Sequence, residues 1–139
     1  MTTEREAKGP MTILVIDDDE RIRSLLRNIL LFGGHRVIEA SDGESGMRYL
    51  EGDRFDLVLT DLGMPGMNGW EVVKRIKARI PQVPVALITG WGTDLDQEKI
   101  KESGVDRIIG KPFQVNEILE TVALFHNRMG RRLKGKKRI

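Results

Sequence analysis

The sequence predicts a doubly wound α/β fold, in which helices cover both faces of a five-stranded parallel sheet. Five short apolar runs alternate along the chain with five longer segments, and such alternation builds a parallel sheet with right-handed crossovers. Three of the runs are almost continuously apolar, which is typical of strands buried on both faces. At 139 residues the chain suits one domain.

Strands are predicted where Val, Ile and Leu are concentrated, at residues 11–16, 35–39, 55–60, 83–89 and 106–109. The first helix should begin after Asp19, which is placed to cap it, and should end at Gly33 and Gly34. Its apolar residues recur with helical spacing and form one stripe: Ile22, Leu25, Leu26, Ile29 and Leu30.

The second and third helices carry capping signals at their starts. Ser41 with Glu44, and Asn68 with Glu71, have the spacing of a capping box. Pro81 should end the third helix.

The last two helical segments differ in how much they can bury. The fourth, residues 93–103, offers only Leu95 and Ile100 as large apolar residues, so we expect it to be weakly held and able to move. The fifth begins at about residue 114 and has one apolar face: Val115, Ile118, Leu119 and Val122.

The net charge of +2 conceals an uneven distribution of charge. Seven Lys and Arg residues and no acid lie between residues 128 and 138, so the rest of the chain is acidic. We expect residues 129–139 to form a disordered, solvated basic tail. A linker remnant or an arm that contacts nucleic acid is the alternative. Nucleic acid is not expected as a partner of the domain itself.

The chain has no cysteine, which excludes disulfides and thiolate metal sites. Residues 1–10 read as a flexible leader rather than a signal peptide. No apolar run approaches the roughly 20 residues that a membrane span requires. We therefore expect a cytoplasmic protein without a membrane partner.

Polar residues follow four of the predicted strands. Asp17 and Asp18 follow the first, Asp61 the third, Thr89 ends the fourth and Lys111 comes just after the fifth. Ligands of parallel sheets bind at the carboxyl ends of the strands. Carboxylates brought together there repel one another, and Mg²⁺ with oxygen ligands would relieve the repulsion. With a lysine and a hydroxyl, the set suits phosphoryl transfer to a carboxylate.

Four motifs resemble the receiver domain of two-component response regulators: VIDDD (15–19), LTDLGMP (59–65), ITG (88–90) and GKPF (110–113). The resemblance covers residues 11–128. It implies a flavodoxin-like sheet of order 2-1-3-4-5. It also makes Asp61 the phosphoacceptor, places Thr89 and Lys111 against the phosphoryl oxygens, and makes the Lys111–Pro112 bond cis. The implied Mg²⁺ ligands are Asp18, Asp61 and the Gly63 carbonyl, with Asp17 acting through a water.

The sequence departs from the family pattern at positions that influence switching and phosphoryl lifetime. Ile108 stands where the family usually has an aromatic switch residue. Either the switch relies more on Thr89 and on loop movement, or its output differs. Gly63 and Trp91 occupy the positions that influence hydrolysis of the acyl phosphate. Gly90 is small, as access to the phosphoryl group requires.

The resemblance implies a histidine kinase or a histidine phosphotransfer protein as the phosphoryl donor. A downstream protein, or an output domain outside this chain, would read the surface of helix 4, strand 5 and helix 5, and dimerisation on phosphorylation stays open. The only catalysis expected is that of the domain's own phosphorylation and dephosphorylation.

Two alternatives have other chemistry. In a phosphatase similar to the haloacid dehalogenases, Asp17 would be the nucleophile of a D-x-D pair with Asp19, but the further acidic pair after Lys111 is missing. In a degenerate receiver the domain would act only as a binding module, and Ile108 leaves this alternative open.

Overall fold

The computed structural model describes residues 9–90 and 95–137, with the backbone alone for residues 130–137. The strands are β1 (Thr12–Ile16), β2 (Arg36–Ala40), β3 (Leu57–Asp61), β4 (Val85–Thr89) and β5 (Arg107–Gly110). The helices are α1 (Glu20–Phe32), α2 (Gly43–Gly52), α3 (Gly69–Arg79), α4 (Gln97–Ser103) and α5 (Val115–Lys137). Trp91 and the leader residues 1–8 lie outside the described residues.

The five strands form one parallel sheet in the order β2-β1-β3-β4-β5, which confirms the predicted order. Asp61 at the end of β3 pairs with Ile88, and Thr89 at the end of β4 pairs with Gly110. The carboxyl ends of β1, β3, β4 and β5 therefore lie at one edge of the sheet, where the polar residues follow them.

Helices cover both faces of the sheet, as predicted, because successive side chains of each strand point to opposite faces. In β1, Leu14 and Ile16 join a core with α2 and α3. Ile13 and Val15 join a second core with α1 and α5. No helix among the described residues is long and apolar enough to cross a membrane.

The first and third helices begin at their predicted caps. The Asp19 carboxylate accepts from the Arg21 N–H at 2.9 Å, and the Asn68 side chain accepts from the Glu71 N–H at 3.1 Å. Leu25 of the predicted α1 stripe is exposed. The buried stripe of α1 is therefore narrower than the sequence pattern indicated.

The cap of α2 is Asp42 rather than Ser41, so the prediction was wrong by one residue. The Asp42 carboxylate accepts from the Ser45 N–H at 2.7 Å, whereas Ser41 is exposed. Both residue types cap helices well, and Asp42 is the cap because the helix begins at Gly43, the residue that follows it. The hydrogen bond from the Ser45 N–H lowers the pKa of Asp42 below its ordinary value.

We expect Asp42→Ala to lower the free energy of unfolding at neutral pH by about 1 kcal/mol, the usual value of an N-cap. The pKa of Asp42 is depressed in the folded state, so its charged form contributes stability above the unfolded-state pKa, and this is lost as the pH falls through the folded-state pKa. Urea unfolding at neutral and acid pH measures both effects. An equal loss in Ser41→Ala would contradict the cap assignment.

The last two helices differ from the sequence predictions at their ends. α4 begins at Gln97, after its cap Asp96, rather than at residue 93, and Ser103 is its one buried residue. In α5, Ile118 and Val122 are buried, but Val115 is 49% exposed and does not belong to the core face. The α5 helix continues to Lys137, which differs from the expectation of a disordered tail from residue 129.

Candidate functional site

The structure brings three of the predicted polar residues into direct contact at the carboxyl edge of the sheet. The Lys111 Nζ lies 3.0 Å from Asp61 Oδ1 and 3.4 Å from Asp17 Oδ2. Both carboxyl groups are buried. One ammonium therefore neutralises part of the charge of two desolvated carboxylates.

Asp17 is fixed by backbone contacts as well as by Lys111. Its N–H donates to the Ala40 carbonyl at 3.1 Å, and its Oδ1 accepts from the Asp19 N–H at 2.8 Å. Burial raises the pKa of Asp17, and the charge of Asp61 adds to this effect, against the Asp19 N–H and Lys111, which lower the pKa. The ionised form of Asp17 thus depends on cations and donors held beside it.

Lys111 is poised to remain charged. Burial alone would lower the pKa of its ammonium, but the hydrogen bond to Asp61 and the charges of Asp17 and Asp61 raise it on balance. The Lys111 N–H donates to the Thr89 carbonyl at 2.7 Å, which ties the lysine to the end of β4. The Lys111–Pro112 bond is cis, as the resemblance implied.

Asp17, Asp18 and Asp61 form a group that could hold a metal ion. Each offers a carboxylate oxygen, and these oxygens lie within 4.8 Å of one another. Mg²⁺ prefers oxygen ligands and keeps several waters, so a cluster with the exposed Asp18 beside the buried pair fits this ion.

The remaining predicted residues that the structure describes lie near the carboxyl ends of β3, β4 and β5. Thr89 is 1% exposed at the end of β4. Gly63 is exposed two residues after Asp61, in a turn where the Met64 N–H donates to the Leu62 carbonyl at 3.2 Å. Gly90 is exposed. Ile108 is half-buried and packs against the core that α2 and α3 share with the sheet.

Gly69, at the start of α3, is a site residue that the sequence analysis did not single out. Its N–H donates to the Leu62 carbonyl at 2.9 Å. A Cβ on Gly69 would collide with the Asp61 carbonyl oxygen and would lie 2.6 Å from Leu87 Cδ1 and 2.7 Å from Leu62 Cα. Only glycine lets α3 approach the end of β3 this closely.

We expect Gly69→Ala to lower the free energy of unfolding by about 3 kcal/mol, because two of the three atoms in the way belong to the backbone. Gly90→Ala is the matched control, since within residues 9–90 and 95–137 its Cβ would meet only the Lys111 Cβ, at an ordinary 3.9 Å. Urea unfolding of both variants measures the difference. A Gly69→Ala variant as stable as Gly90→Ala would contradict the close approach.

Comparison with known proteins gives the same family as the motifs. The response regulator receiver domain model matches residues 13–123. The transcriptional regulatory protein AfsQ1 of Streptomyces coelicolor is 41% identical over 103 residues, which are 74% of this chain and 45% of AfsQ1. The chain thus spans about half the length of this curated relative.

Two solved structures share the fold closely. A CheY-like receiver domain protein from Methanospirillum hungatei has a TM-score of 0.83 at 26% identity, over 89% of this chain and 99% of its own. The response regulator TrrA of Thermotoga maritima, in complex with Mg(2+)-BeF, has a TM-score of 0.77 at 29% identity, over 83% and 98%. With the family match over most of its length, the chain belongs to the receiver domains of two-component response regulators.

Proposed function

We propose that this receiver domain is a phosphorylation switch in which Asp61 accepts a phosphoryl group from a histidine kinase or a histidine phosphotransfer protein. The observation that carries the proposal is the contact of the Lys111 ammonium with Asp61 at 3.0 Å, beside the Asp17 and Asp18 carboxylates. This arrangement joins a carboxylate nucleophile to a cation that stabilises the charge of the transferring group.

The chain's own residues supply positioning and charge rather than a general base. An Asp61 carboxylate oxygen forms a bond to phosphorus while the phosphorus–nitrogen bond of the donor histidine breaks. The proton that the leaving imidazole takes up comes from solvent or from the donor protein. Lys111 turns from the Asp61 carboxylate to a phosphoryl oxygen, and Thr89 approaches another. The domain thus catalyses its own phosphorylation, and by attack of water its own dephosphorylation.

Mg²⁺ is the proposed cofactor, and when bound it would neutralise charge on the carboxylates and the phosphoryl oxygens. We assign Asp18, Asp61 and the Gly63 carbonyl as direct ligands. Asp17 would act through a water, since both of its carboxylate oxygens already have partners in Asp19 and Lys111. The Mg(2+)-BeF complex of the related TrrA supports this choice of ion.

The proposed output is a change of the surface formed by α4, β5 and α5. Thr89 would move toward the phosphoryl group, with Ile108 of β5 as the second switch position, and α4 would shift because it buries so little. A downstream protein, an output domain beyond this chain or a second phosphorylated copy would read the surface in the cytoplasm. Gly63, Gly90 and Trp91 would set access and lifetime.

The alternatives fit the geometry less well. A phosphatase would need Asp17 as nucleophile, but Asp17 is 1% exposed and both its carboxylate oxygens accept hydrogen bonds. A degenerate receiver would not need the contact between Lys111 and Asp61. The isoleucine at position 108, where the family usually has an aromatic residue, is the feature that leaves such a binding module open.

The test is intact mass spectrometry of the full chain after incubation with acetyl phosphate and with a phosphorylated histidine kinase, each with Mg²⁺ or EDTA. We expect one phosphoryl group per chain, and only with Mg²⁺. Amide exchange of residues 97–110 should differ between the phosphorylated and free forms. No adduct with either donor would favour the binding module, and unchanged exchange would contradict the proposed output surface.

A further inference from the structure

Arg23, in the second turn of α1, contacts the backbone of the loop that carries the acidic residues. Its Nη1 donates to the carbonyl oxygen of Asp17 at 2.7 Å, a short charge-assisted hydrogen bond. The Arg23 side chain is only 16% exposed. An arginine held in this way restrains the peptide group between Asp17 and Asp18.

Glu39 on β2 holds the other side of the Arg23 guanidinium. The Arg23 Nε lies 3.5 Å from Glu39 Oε1, and the next residue of β2, Ala40, accepts the Asp17 N–H at 3.1 Å. The end of β2 therefore restrains Asp17 twice, directly at its N–H and through Arg23 at its carbonyl. The loop between β1 and α1 is fixed from outside the acidic cluster.

We propose that Arg23 is a positioning residue of the magnesium site, which keeps the Asp17 and Asp18 carboxylates in reach of Asp61 through its contact with the Asp17 carbonyl. This inference rests on the proposed function in that it takes the three carboxylates as the Mg²⁺ site. The positive charge of Arg23 by itself would oppose Mg²⁺ binding. Because Glu39 offsets that charge, we expect the loss of the contact with the Asp17 carbonyl to outweigh it, so that replacing Arg23 weakens Mg²⁺ binding.

The experiment is calorimetric titration of Mg²⁺ into the full chain for the wild type and Arg23→Ala. We expect roughly tenfold weaker Mg²⁺ binding, the lower end of the effect of groups that orient metal ligands. Arg27→Ala is the matched control, because Arg27 pairs with the same Glu39 at 3.2 Å and its loss leaves the Arg23 contact in place. This control should bind Mg²⁺ like the wild type.

Arg23→Lys separates position from charge and also serves if the alanine variant does not fold. It keeps the charge but lacks the planar donor group, so we expect its Mg²⁺ affinity to fall as well. Equal or tighter Mg²⁺ binding by the position-23 variants would overturn the inference, as would an equal loss in Arg27→Ala.

Phosphorylation at saturating Mg²⁺ distinguishes this inference from the proposed function. We expect the position-23 variants to recover the adduct there, because their defect is in Mg²⁺ affinity. A variant that binds Mg²⁺ at saturation but stays unphosphorylated, beside a phosphorylated wild type, would overturn the positioning role. A wild type that binds Mg²⁺ without ever forming an adduct would refute the proposed function, and the affinity comparison would still decide the role of Arg23.

Discussion

Asp61→Asn should abolish the phosphoryl adduct altogether, with acetyl phosphate and with a kinase donor. The amide has almost the shape of the carboxylate but lacks its nucleophilic anionic oxygen. The substitution therefore removes the phosphoryl acceptor and leaves the rest of the site in place. Lys111 keeps its second partner, Asp17, at 3.4 Å, and we expect the fold to survive. Intact mass after incubation with Mg²⁺ and donor measures the effect.

Asp53→Asn is the control for this substitution. Asp53 is an exposed acid that follows α2, so its loss changes the net charge equally and should leave the adduct at the wild-type level. An adduct of normal yield in Asp61→Asn would mean that another carboxylate accepts the phosphoryl group.

Lys111→Met should lower both the stability of the protein and the rate of its phosphorylation, and Mg²⁺ should restore only the stability. In EDTA we expect the free energy of unfolding to fall by about 3 kcal/mol, because the substitution leaves the buried Asp17 and Asp61 carboxylates without their shared cation. Added Mg²⁺ should reduce the difference in unfolding free energy between the variant and the wild type. The variant should also bind Mg²⁺ more tightly than the wild type does, since no ammonium competes for the carboxylates. Phosphorylation should nevertheless slow by roughly 10²-fold.

Lys77→Met tests whether the rescue by Mg²⁺ is specific to the site. Lys77 forms a salt bridge with Asp106 at 2.6 Å and is about as buried as Lys111, with a side-chain exposure of 18% against 24%. Its loss should destabilise the protein equally in EDTA and in Mg²⁺. If urea unfolding shows no narrowing by Mg²⁺ in Lys111→Met, the metal does not act on these carboxylates.

The sequence was sufficient to predict which side chains meet at the site. Asp17, Asp61 and Lys111 each follow a strand of a parallel sheet, and the carboxyl ends of such strands share one edge. The alternation of strands and helices predicted the sheet and the two helical layers, while the strand order came from the family resemblance. The sheet, the helical layers and the meeting of the polar residues can be predicted because each follows from the apolar runs and from the residues that come directly after them.

Features that depend on the backbone in three dimensions could not be predicted. Arg23 donates to the Asp17 carbonyl oxygen, and Gly69 lies so close to the Asp61 carbonyl oxygen that no side chain fits between them. Every residue has a backbone carbonyl, so the sequence does not show which carbonyl oxygens take part in such contacts. Ser41 and Asp42 are adjacent capping residues, and the sequence does not show which of them precedes the first residue of α2. The helix continues to Lys137 because Arg and Lys are good helix formers. The run of basic residues had instead indicated a disordered tail.

The most direct test of phosphorylation at Asp61 is to locate the phosphoryl group on the chain. Borohydride reduces an aspartyl phosphate to homoserine, which tandem mass spectrometry of peptides can place at one residue. We predict homoserine at position 61 in protein phosphorylated with Mg²⁺, and aspartate at positions 17 and 18. Homoserine at position 17 or 18, with aspartate retained at 61, would contradict the account.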